Sequence, residues 1–303
     1  MGVGNFGEHH VEKYVNLEDA ELVGVVDVVE DKAKKIAKRY KIQHFLKYED
    51  IYDQVDAVSI AVPTRFHYHI AKNFLKEGKD VLLEKPITTT TEEATELIDI
   101  ADANKRIFQV GHVERFNPAV MSLGKFLVHP RFIESHRLSS YKGRGIDVDV
   151  ILDLMIHDID IILSLVKRKV NFINAVGVPV LSPRIDIANA RLQFDGGCTA
   201  NITVSRISDK DMRKIRIFQP DAYFSLDYSK TEMAVYRRVR GEGELPEIIG
   251  NKKKMKKKND SLQEEIGSFI HSVITRRPPV VSGTEGREAL SVAMKIQEQI
   301  AKI

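Results

Sequence analysis

Lys85 occupies a position where a cationic side chain can assist the chemistry of a hydroxyl group. It follows the apolar run Val81–Leu83 and Glu84 and is followed by Pro86, so we expect it at the C-terminal end of a buried strand. Ligands of open α/β sheets bind at that end of the strands. An ammonium group there can hydrogen-bond a substrate hydroxyl and stabilise the negative charge that develops on its oxygen. A surface lysine at a strand–loop junction explains the tripeptide equally well.

Asp153 and His157 are four residues apart in a predicted helix over Val150–Val166, so α-helical geometry places them on one face. Apolar residues flank this face and keep it partly dry. A histidine held near neutral pKa there can take a hydroxyl proton while Asp153 orients the imidazole or the substrate. The alternative is a pair that only braces the helix. Asp158 and Asp160 are nearby, but their spacing matches no usual ligand set, so we expect no metal.

The chain begins with a glycine pattern, Gly2-Val3-Gly4-Asn5-Phe6-Gly7. Glycines in this arrangement permit a tight turn, close approach of a pyrophosphate and close packing of the following helix, whose N-terminus favours the anion. The predicted strand Glu21–Asp27 ends in a carboxylate that can bind ribose hydroxyls and repel a 2′-phosphate. No arginine follows Asp27. The pattern therefore predicts NAD rather than NADP.

The elements that must position these residues change in type along the chain. Up to about Val113, short apolar runs alternate with amphipathic stretches, which is typical of a doubly wound parallel sheet with helices on both faces. The glycine pattern normally follows a strand of about five residues, yet only Met1 precedes Gly2. We therefore expect the natural chain to start upstream of Met1.

Seven strand-like runs lie between Phe132 and Val239, interrupted by the helix over Val150–Val166, and two helices close the chain. This pattern predicts an α/β domain with a large, mostly antiparallel open sheet. We place the domains at residues 1–112, 113–283 and 284–303, the last a helix that packs back near the first domain. A sheet with one helical face needs its other face covered, which favours a homodimer or homotetramer.

Composition excludes several functional classes. The 303 residues carry a net charge of +3, which is too small to favour a nucleic-acid or membrane partner. No run is long enough to span a membrane, and we expect no signal peptide, because the N-terminal residues do not combine a cationic segment with an apolar core. The single cysteine, Cys198, fits a reducing compartment, so we expect a cytoplasmic protein. The lysine-rich run Lys252–Lys258 predicts a solvated loop, with contact to a substrate phosphate as the alternative.

Together these motifs resemble the glucose–fructose oxidoreductase/inositol dehydrogenase (Gfo/Idh/MocA) family over essentially the whole chain. The resemblance rests on Gly2–Gly7, Pro63–His67, Gly78–Pro86 and the pair Asp153 and His157. It implies a Rossmann domain followed by a sheet-rich domain that commonly forms the oligomer interface. It also implies catalytic roles for Lys85, Asp153 and His157. By the same resemblance, Pro63, Thr64, His67, Glu84 and Lys85 line the cofactor.

The segments Gly111–Pro118 and Asp147–His157 resemble the nucleotide-sugar branch of this family, and within it the UDP-N-acetylglucosamine 3-dehydrogenases. In that interpretation Glu114, Arg115 and Asn117 face the substrate; fixing the crossover by salt bridges and an Asn-Pro turn is an equal alternative. Two other functions remain open. One is a dehydrogenase of a free sugar or polyol such as inositol, or an imine or enone reductase on the same scaffold. The other is a non-catalytic NAD-binding regulatory protein.

Overall fold

A computed structural model of the chain describes residues 1–124, 126–141, 148–239, 247–254 and 260–302. These form two units. The N-terminal unit comprises Met1–Phe116 with Asn259–Glu288, and the sheet unit comprises Asn117–Lys258 with Ala289–Ile303. This division differs from the predicted boundaries at residues 112 and 283, because segments from the end of the chain belong to both units.

The N-terminal unit alternates helices and strands, as the apolar pattern predicts. Its elements are α1 (Asn5–Tyr14), β1 (Gly24–Val26), α2 (Glu30–Tyr40), β2 (Gln43–Phe45), β3 (Ala57–Ile60), α3 (His67–Lys76), β4 (Asp80–Glu84), α4 (Thr91–Ala103) and β5 (Phe108–Gly111). All strand pairs are parallel, with β1 beside β2 and the order β3-β4-β5 in a second sheet. The predicted Rossmann-type sheet is therefore confirmed. Strand β2 was not predicted, since its three residues lack an apolar run.

The sheet unit is built around eight strands, one more than predicted. Its elements are α5 (Pro118–Leu123), β6 (Phe132–Leu138), α6 (Ile156–Val166), β7 (Val170–Val178), β8 (Ile187–Phe194), β9 (Thr199–Ser205), β10 (Met212–Gln219), β11 (Ala222–Asp227), β12 (Glu232–Val239) and β13 (Glu247–Lys254). The strand order is β13-β12-β11-β10-β6-β9-β8-β7, and only the pair β6–β9 is parallel. The predicted large, mostly antiparallel sheet is confirmed.

The loop prediction for the lysine-rich run was wrong at its start. Strand β13 includes the first three lysines of the run, and they pair with β12. The pairs are Lys252 with Ala234, Lys253 with Met233 and Lys254 with Glu232. Backbone pairing needs no apolar side chains, so a cationic segment can form an edge strand. Residues 255–258 of the run lie outside the described part of the chain.

Helix α6 provides much of the core of the sheet unit. Its four buried isoleucines belong to one apolar cluster with sheet residues such as Ile133 and Ile202; they are Ile156, Ile159, Ile161 and Ile162. The predicted helix over Val150–Val166 is present but not uniform. Residues Ile151–Met155 form a π-helical turn, and the α-helical part begins at Ile156.

The two closing helices, α7 (Ser261–Thr275) and α8 (Gly283–Ile300), explain the difference in domain boundaries. Leu262, Ile266 and Phe269 of α7 cluster with Leu82 and Ile107 of the N-terminal unit. Beyond the helix, the Arg276 guanidinium binds the buried Asp80 carboxylate at 2.5 and 3.1 Å. Most of α8 instead contributes to the core of the sheet unit, through Ala289, Val292, Ala293 and Ile296. Within the described residues, no helix is long and apolar enough to cross a membrane.

A buried ion pair fixes α6 to the sheet. The Arg137 side chain donates from Nε to Asp158 Oδ2 at 2.6 Å, and the Ser135 hydroxyl donates to Asp158 Oδ1 at 2.8 Å. Arg137 and Asp158 are 4% and 1% exposed. Asp158 is therefore a structural residue that holds α6 against the sheet.

We expect Arg137→Met to lower the free energy of unfolding by about 3–5 kcal/mol, because it leaves the Asp158 carboxylate buried without its cation. The matched control is Arg216→Met, also on the sheet, whose pair with Glu134 is about one-third exposed. It should cost less than about 1 kcal/mol. Urea unfolding followed by circular dichroism measures both. Equal losses in the two variants would contradict the assignment.

Candidate functional site

The glycine turn has the geometry of an anion-binding site. Gly2 has a φ of 75°, and a Cβ on it would lie 2.9 Å from the Ala61 carbonyl oxygen. A Cβ on Gly7 would lie 1.8 Å from the Gly2 carbonyl oxygen. Both positions therefore require glycine. A Cβ on Gly4 would meet no atom within 4 Å, so this part of the turn is open to a ligand.

Helix α1 starts directly behind this open surface. Its N-cap is Gly4, which has no side chain to bond the amides of the first turn. Asn5 and Phe6, the first two helical residues, are exposed. Free amides and the helix dipole favour a negative charge at this point. The residues present fit a dinucleotide pyrophosphate, as the pattern predicts.

Asp27 lies directly after β1 and contacts the same turn. Its Oδ2 accepts the Val3 N–H and its Oδ1 accepts the Val29 N–H, both at 2.9 Å. A carboxylate has further lone pairs, so these bonds leave acceptor capacity for ribose hydroxyls. The next residue, Val28, is 89% exposed and brings no cation to this place. The surroundings of Asp27 thus favour NAD, as predicted.

We expect the unaltered protein to prefer NAD. The double variant Asp27→Ser with Val28→Arg should raise the ratio of kcat/KM for NADP to that for NAD at least about tenfold, because it removes a charge-assisted acceptor and adds a phosphate ligand. Steady-state kinetics with both cofactors measure this ratio. The control is Glu21→Ser, an exposed acid upstream of β1. Equal use of NADP by the unaltered protein would contradict the role of Asp27.

The loop after β3 packs against the glycine turn and contains the predicted cofactor residues Pro63 and Thr64. A Cβ on Gly2 would also meet the Val62 side chain at 2.9 Å, so the two loops are in contact. Pro63 is exposed and precedes a short 3-10 turn, Thr64–Phe66, that leads into α3. The structure therefore brings these residues next to the predicted pyrophosphate site.

His67, also predicted to line the cofactor, is 1% exposed. Its Nδ1 lies 2.8 Å from the Pro86 carbonyl oxygen and its Nε2 lies 2.8 Å from the Val62 carbonyl oxygen. Burial lowers the pKa of this imidazole. The ring therefore connects the loop after β3 to the segment that follows Lys85.

Lys85 follows β4, which ends at Glu84, and it is half-buried. The strand end therefore lies where the sequence predicts, and the Lys85–Pro86 peptide bond is cis. The Lys85 backbone N–H donates to Glu84 Oε2 at 3.2 Å. A Cβ on Gly111, the last residue of β5, would lie 2.6 Å from Glu84 Oε1. The Glu84 carboxylate thus occupies the space that Gly111 leaves beside the lysine.

Sequence reasoning missed a buried chain of polar groups below Lys85. His10 Nε2 lies 3.0 Å from Glu84 Oε1, and His10 Nδ1 lies 2.7 Å from the Ser59 hydroxyl oxygen. His10 belongs to α1 and is 4% exposed. These polar contacts connect α1, the helix that follows the glycine turn, to Glu84, the residue before Lys85. The available signal was a histidine three residues after Gly7 on the apolar side of α1, beside Val11.

His112 is a second residue that the sequence analysis did not single out. It follows β5 and is fully buried. Burial and the nearby charge of Lys85 lower its pKa to about 3, so its ring is neutral at ordinary pH. A neutral imidazole near the ammonium group avoids repulsion between two cations.

The three predicted substrate residues after β5 have distinct surroundings. Arg115 pairs with Glu285 of α8, and Asn117 Oδ1 accepts the Ala119 N–H at 3.0 Å as the N-cap of α5. Glu114 is half-buried in the 3-10 turn Val113–Phe116. These contacts support the alternative that Arg115 and Asn117 fix the crossover.

Asp153 and His157 lie in the sheet unit. Asp153 is exposed in the π-helical turn, whereas His157 is half-buried in the first turn of α6. The argument from their spacing assumed an α-helix throughout, and the wider π turn changes the angle between the two positions. A π turn inside a helix is often found at functional sites. Among the described residues, no group of histidine, cysteine and acidic side chains could hold a metal ion.

Comparison with known proteins identifies the family. The NAD-binding Rossmann-fold oxidoreductase family Gfo/Idh/MocA matches residues 1–112. The UDP-N-acetylglucosamine 3-dehydrogenase of Acidithiobacillus ferrooxidans is 34% identical over 300 residues, 98% of this chain and 95% of that protein. A solved structure of that enzyme covers 99% of this chain and 95% of its own, with a TM-score of 0.94 and 33% identity. The myo-inositol 2-dehydrogenase of Thermotoga maritima is 26% identical and covers 96% of this chain and 92% of its own.

These similarities confirm the predicted family resemblance, the fold class and the nicotinamide cofactor. Identity above 30% along nearly the full length of both proteins extends the match beyond the N-terminal unit. The chain belongs to the Gfo/Idh/MocA family of NAD-dependent oxidoreductases.

Proposed function

We propose that this oxidoreductase oxidises the 3-hydroxyl group of UDP-N-acetylglucosamine. The observation that carries the proposal is the similarity to the Acidithiobacillus enzyme of that name, at 34% identity over 98% of the chain. The myo-inositol 2-dehydrogenase of Thermotoga maritima reaches 26% over a similar length. Oxidation of myo-inositol or another free polyol is therefore the second candidate.

In this proposal Lys85, His157 and Asp153 act on the sugar hydroxyl. Bound NAD supplies the acceptor for the hydride that leaves the sugar carbon. His157 takes the hydroxyl proton, and the Lys85 ammonium donates a hydrogen bond to the developing negative oxygen. Asp153 orients the imidazole or a neighbouring hydroxyl. Because the His112 ring is neutral, Lys85 is the cationic donor of the two residues.

The cofactor-binding residues of the proposal are those of the glycine turn and the loops around it. They are Gly2, Gly4, Asn5, Phe6, Gly7, Asp27, Pro63, Thr64, His67, Glu84 and Lys85. The open surface at Gly4 and the Asp27 carboxylate support direct contacts. The burial of His67 and Glu84 supports a positioning role behind the site. Of the three residues after β5, we propose Glu114 for contact with substrate, and Arg115 and Asn117 as its support.

A substrate panel tests the proposal. The purified protein is incubated with NAD and, separately, UDP-N-acetylglucosamine, UDP-glucose, free N-acetylglucosamine and myo-inositol, and NADH is followed by absorbance. We expect turnover with UDP-N-acetylglucosamine and transfer of deuterium to NADH when carbon 3 carries the label. Turnover with myo-inositol alone would select the second candidate. Binding of NAD without turnover on any sugar would instead support a regulatory protein.

We also propose a homodimer or homotetramer formed through the open face of the sheet. Stacked rings run across this face from β6 to β12: Phe132, Phe218, Tyr223 and Tyr236. Each alternates along its strand with residues of the core, such as Ile133 and Phe224, so the rings lie on the opposite side from the core. An aromatic stripe of this kind supports burial against a second copy.

We expect light scattering to give a mass of at least twice the 34.4 kDa of one chain. Tyr223→Glu should shift the protein toward the monomer, because it places a charge at the centre of the aromatic stripe. Tyr68→Glu, which changes a tyrosine of the N-terminal unit, is the control. A monomeric mass for the unaltered protein would contradict the proposal.

We propose a cytoplasmic location for this reaction. Cys198, the only cysteine of the sequence, is buried as a free thiol, and burial raises its pKa to about 11. A thiol held in this form suits a reducing compartment. Fractionation of the native host tests the location; recovery from an extracytoplasmic fraction would contradict it.

A further inference from the structure

The helical segment that carries Asp153 and His157 changes its geometry between the two residues. The Ile156 N–H donates to the Ile151 carbonyl oxygen five residues earlier, whereas an α-helix uses the fourth. If this π turn relaxed to an α-helix, the residues before it would rotate by as much as about 100° around the axis of α6, the angle of one residue. The angle between Asp153 and His157 therefore depends on the contacts that maintain the π turn.

Asp149 caps the start of the π turn with its side chain. Its Oδ1 accepts the Ile151 N–H at 2.9 Å and the Leu152 N–H at 3.0 Å. These are the first two amides of the turn, which have no helical turn before them to accept their hydrogen bonds. The Asp149 carbonyl oxygen also accepts the Asp153 N–H at 3.1 Å. One residue therefore holds both the beginning of the turn and the backbone of Asp153.

The residues on either side of Asp149 are attached to the sheet. The Arg206 guanidinium, directly after β9, donates from Nη2 to the Val148 carbonyl oxygen at 2.5 Å and to the Ile185 carbonyl oxygen at 3.0 Å. The Val150 N–H donates to the same Ile185 oxygen at 3.1 Å. These bonds attach the start of the helical segment to the neighbouring ends of β8 and β9.

A buried carboxylate keeps Arg206 in place. Arg206 Nε lies 3.3 Å from Asp186 Oδ1, and Asp186 is fully buried. Asp186 Oδ2 accepts three successive backbone N–H groups, those of residues 180–182, at 2.7–2.9 Å. Burial by itself would raise the pKa of this carboxyl group, but these hydrogen bonds lower it to about 2. The carboxylate stays ionised near neutral pH, so this attachment does not change where an imidazole titrates.

Gln297 of α8 holds the Asp149 side chain from another direction. Its Nε2 donates to Asp149 Oδ2 at 2.5 Å. The adjacent residues Ala293 and Ile296 of α8 belong to the apolar core of the sheet unit, so the helix provides a fixed support. Both carboxylate oxygens of Asp149 therefore serve the position of the turn.

We propose that Asp149, supported by Gln297 and Arg206, is a positioning residue of the reaction, which maintains the π turn and thereby the angle between Asp153 and His157. The inference rests on the proposed function, in which these two residues act on the sugar hydroxyl. Asp149 itself contacts no substrate in this proposal. Its loss slows the reaction because a small displacement of a catalytic group has a large effect on the rate.

Substitutions at Asp149 and Gln297 test the proposal. We expect Asp149→Ala to lower kcat for UDP-N-acetylglucosamine by on the order of 10–100-fold and to leave KM for the sugar within about threefold. Gln297→Ala removes only the bond from α8 and should have a smaller effect of the same kind. Asp149→Asn should recover most of the rate, because its amide oxygen can still cap the turn.

The pH profile of kcat/KM gives a readout that a loss of stability alone would not change. In Asp149→Ala, the decrease of kcat/KM on the acid side should shift in the same direction as in Asp153→Asn, because both variants alter the carboxylate that orients the imidazole. In the double variant, kcat should stay close to that of the slower single variant, because a displaced carboxylate has little effect left to lose.

Asp260→Ala is the matched control for the loss of a helix cap. Asp260 caps α7 in the N-terminal unit and accepts the Leu262 N–H at 3.0 Å. Both alanine variants should lower Tm by on the order of 2–4 °C. Only Asp149→Ala should change kcat and the pH profile. Equal kinetic effects in the two variants would show a general effect of stability and overturn the proposal.

Two further results would overturn it. One is a normal kcat and pH profile in Asp149→Ala and Gln297→Ala, while Asp153→Asn changes both. The other is a double variant of Asp149→Ala and Asp153→Asn whose loss equals the product of the two single losses, because the two residues would then act independently.

Hydrogen exchange separates this inference from the proposed function. In Asp149→Ala the amides of residues 151–156 should exchange faster than in the unaltered protein, whether or not the protein acts on a sugar. Absence of turnover by the unaltered protein on every sugar of the panel would refute the proposed function alone. Unchanged exchange in these amides would refute the role of Asp149 in the π turn.

Discussion

Replacing Lys85 with alanine should lower kcat by on the order of 10²–10⁴-fold and leave the Kd for NAD within about threefold of its original value. Lys85 is half-buried after β4, and its charge helps to lower the pKa of His112, which is therefore neutral. In the proposed reaction it stabilises charge that develops as the proton leaves the hydroxyl. Such an interaction exists mainly in the transition state, so its loss affects turnover more than binding.

The control for this prediction is Lys76→Ala, which removes an exposed lysine at the end of α3 in the same unit. We expect its kcat to stay close to that of the unaltered protein. Lys85→Arg should recover part of the lost rate, because a guanidinium donates hydrogen bonds but has a different shape. The role of Lys85 would be refuted by normal turnover in Lys85→Ala. Steady-state kinetics and calorimetric NAD titration supply the two readouts.

Replacing His157 with alanine should lower kcat by a similar order, 10²–10⁴-fold, with NAD binding retained. A general base must be unprotonated to act, so kcat/KM falls on the acid side of its pKa. In the variant this acid limb should disappear. His112 cannot cause a loss of activity near neutral pH, because its own pKa is lowered to about 3. The measurement is a pH profile of kcat/KM for both proteins.

His129→Ala is the matched control, since His129 is an exposed histidine of the same unit. It should keep both the rate and the acid limb. If the His157 variant kept them too, His157 would be a structural residue of α6. Asp153→Asn adds a further readout. If Asp153 orients the imidazole, the variant should shift the acid limb of the pH profile. If Asp153 only braces the helix, the variant should change stability and leave the limb in place.

The architecture was predictable where apolar periodicity decides the structure. Strand β4 ends at Glu84, directly before Lys85 as predicted, because a buried apolar run followed by a charged residue and proline marks the end of a strand. Strand β13 was missed, since its pairing with β12 depends on backbone groups and its sequence ends in lysines. The unit boundary was missed for another reason. The bond between Arg276 and Asp80 joins positions 196 residues apart, and local patterns carry no such information.

The candidate site was predictable to a comparable extent. Gly2 and Gly7 were identified from the glycine pattern, which persists because the positive φ of Gly2 and the close contacts at both positions leave room for glycine alone. His10, Ser59 and His112 were not, since the role of a buried polar residue depends on its partners in space. Asn117 shows the same limit: the sequence left a substrate contact and an Asn-Pro turn open, and the structure shows its side-chain oxygen as the cap of α5.

The two carbonyl contacts of His67 have a consequence for the loops that they connect. Burial lowers the pKa of the ring, so near neutral pH it carries a single N–H. It can therefore donate to the Val62 or the Pro86 carbonyl oxygen, but not to both at once. The choice of tautomer decides which of the two loops is held by a hydrogen bond. The other loop then faces a nitrogen lone pair, and it is the one that is easier to displace.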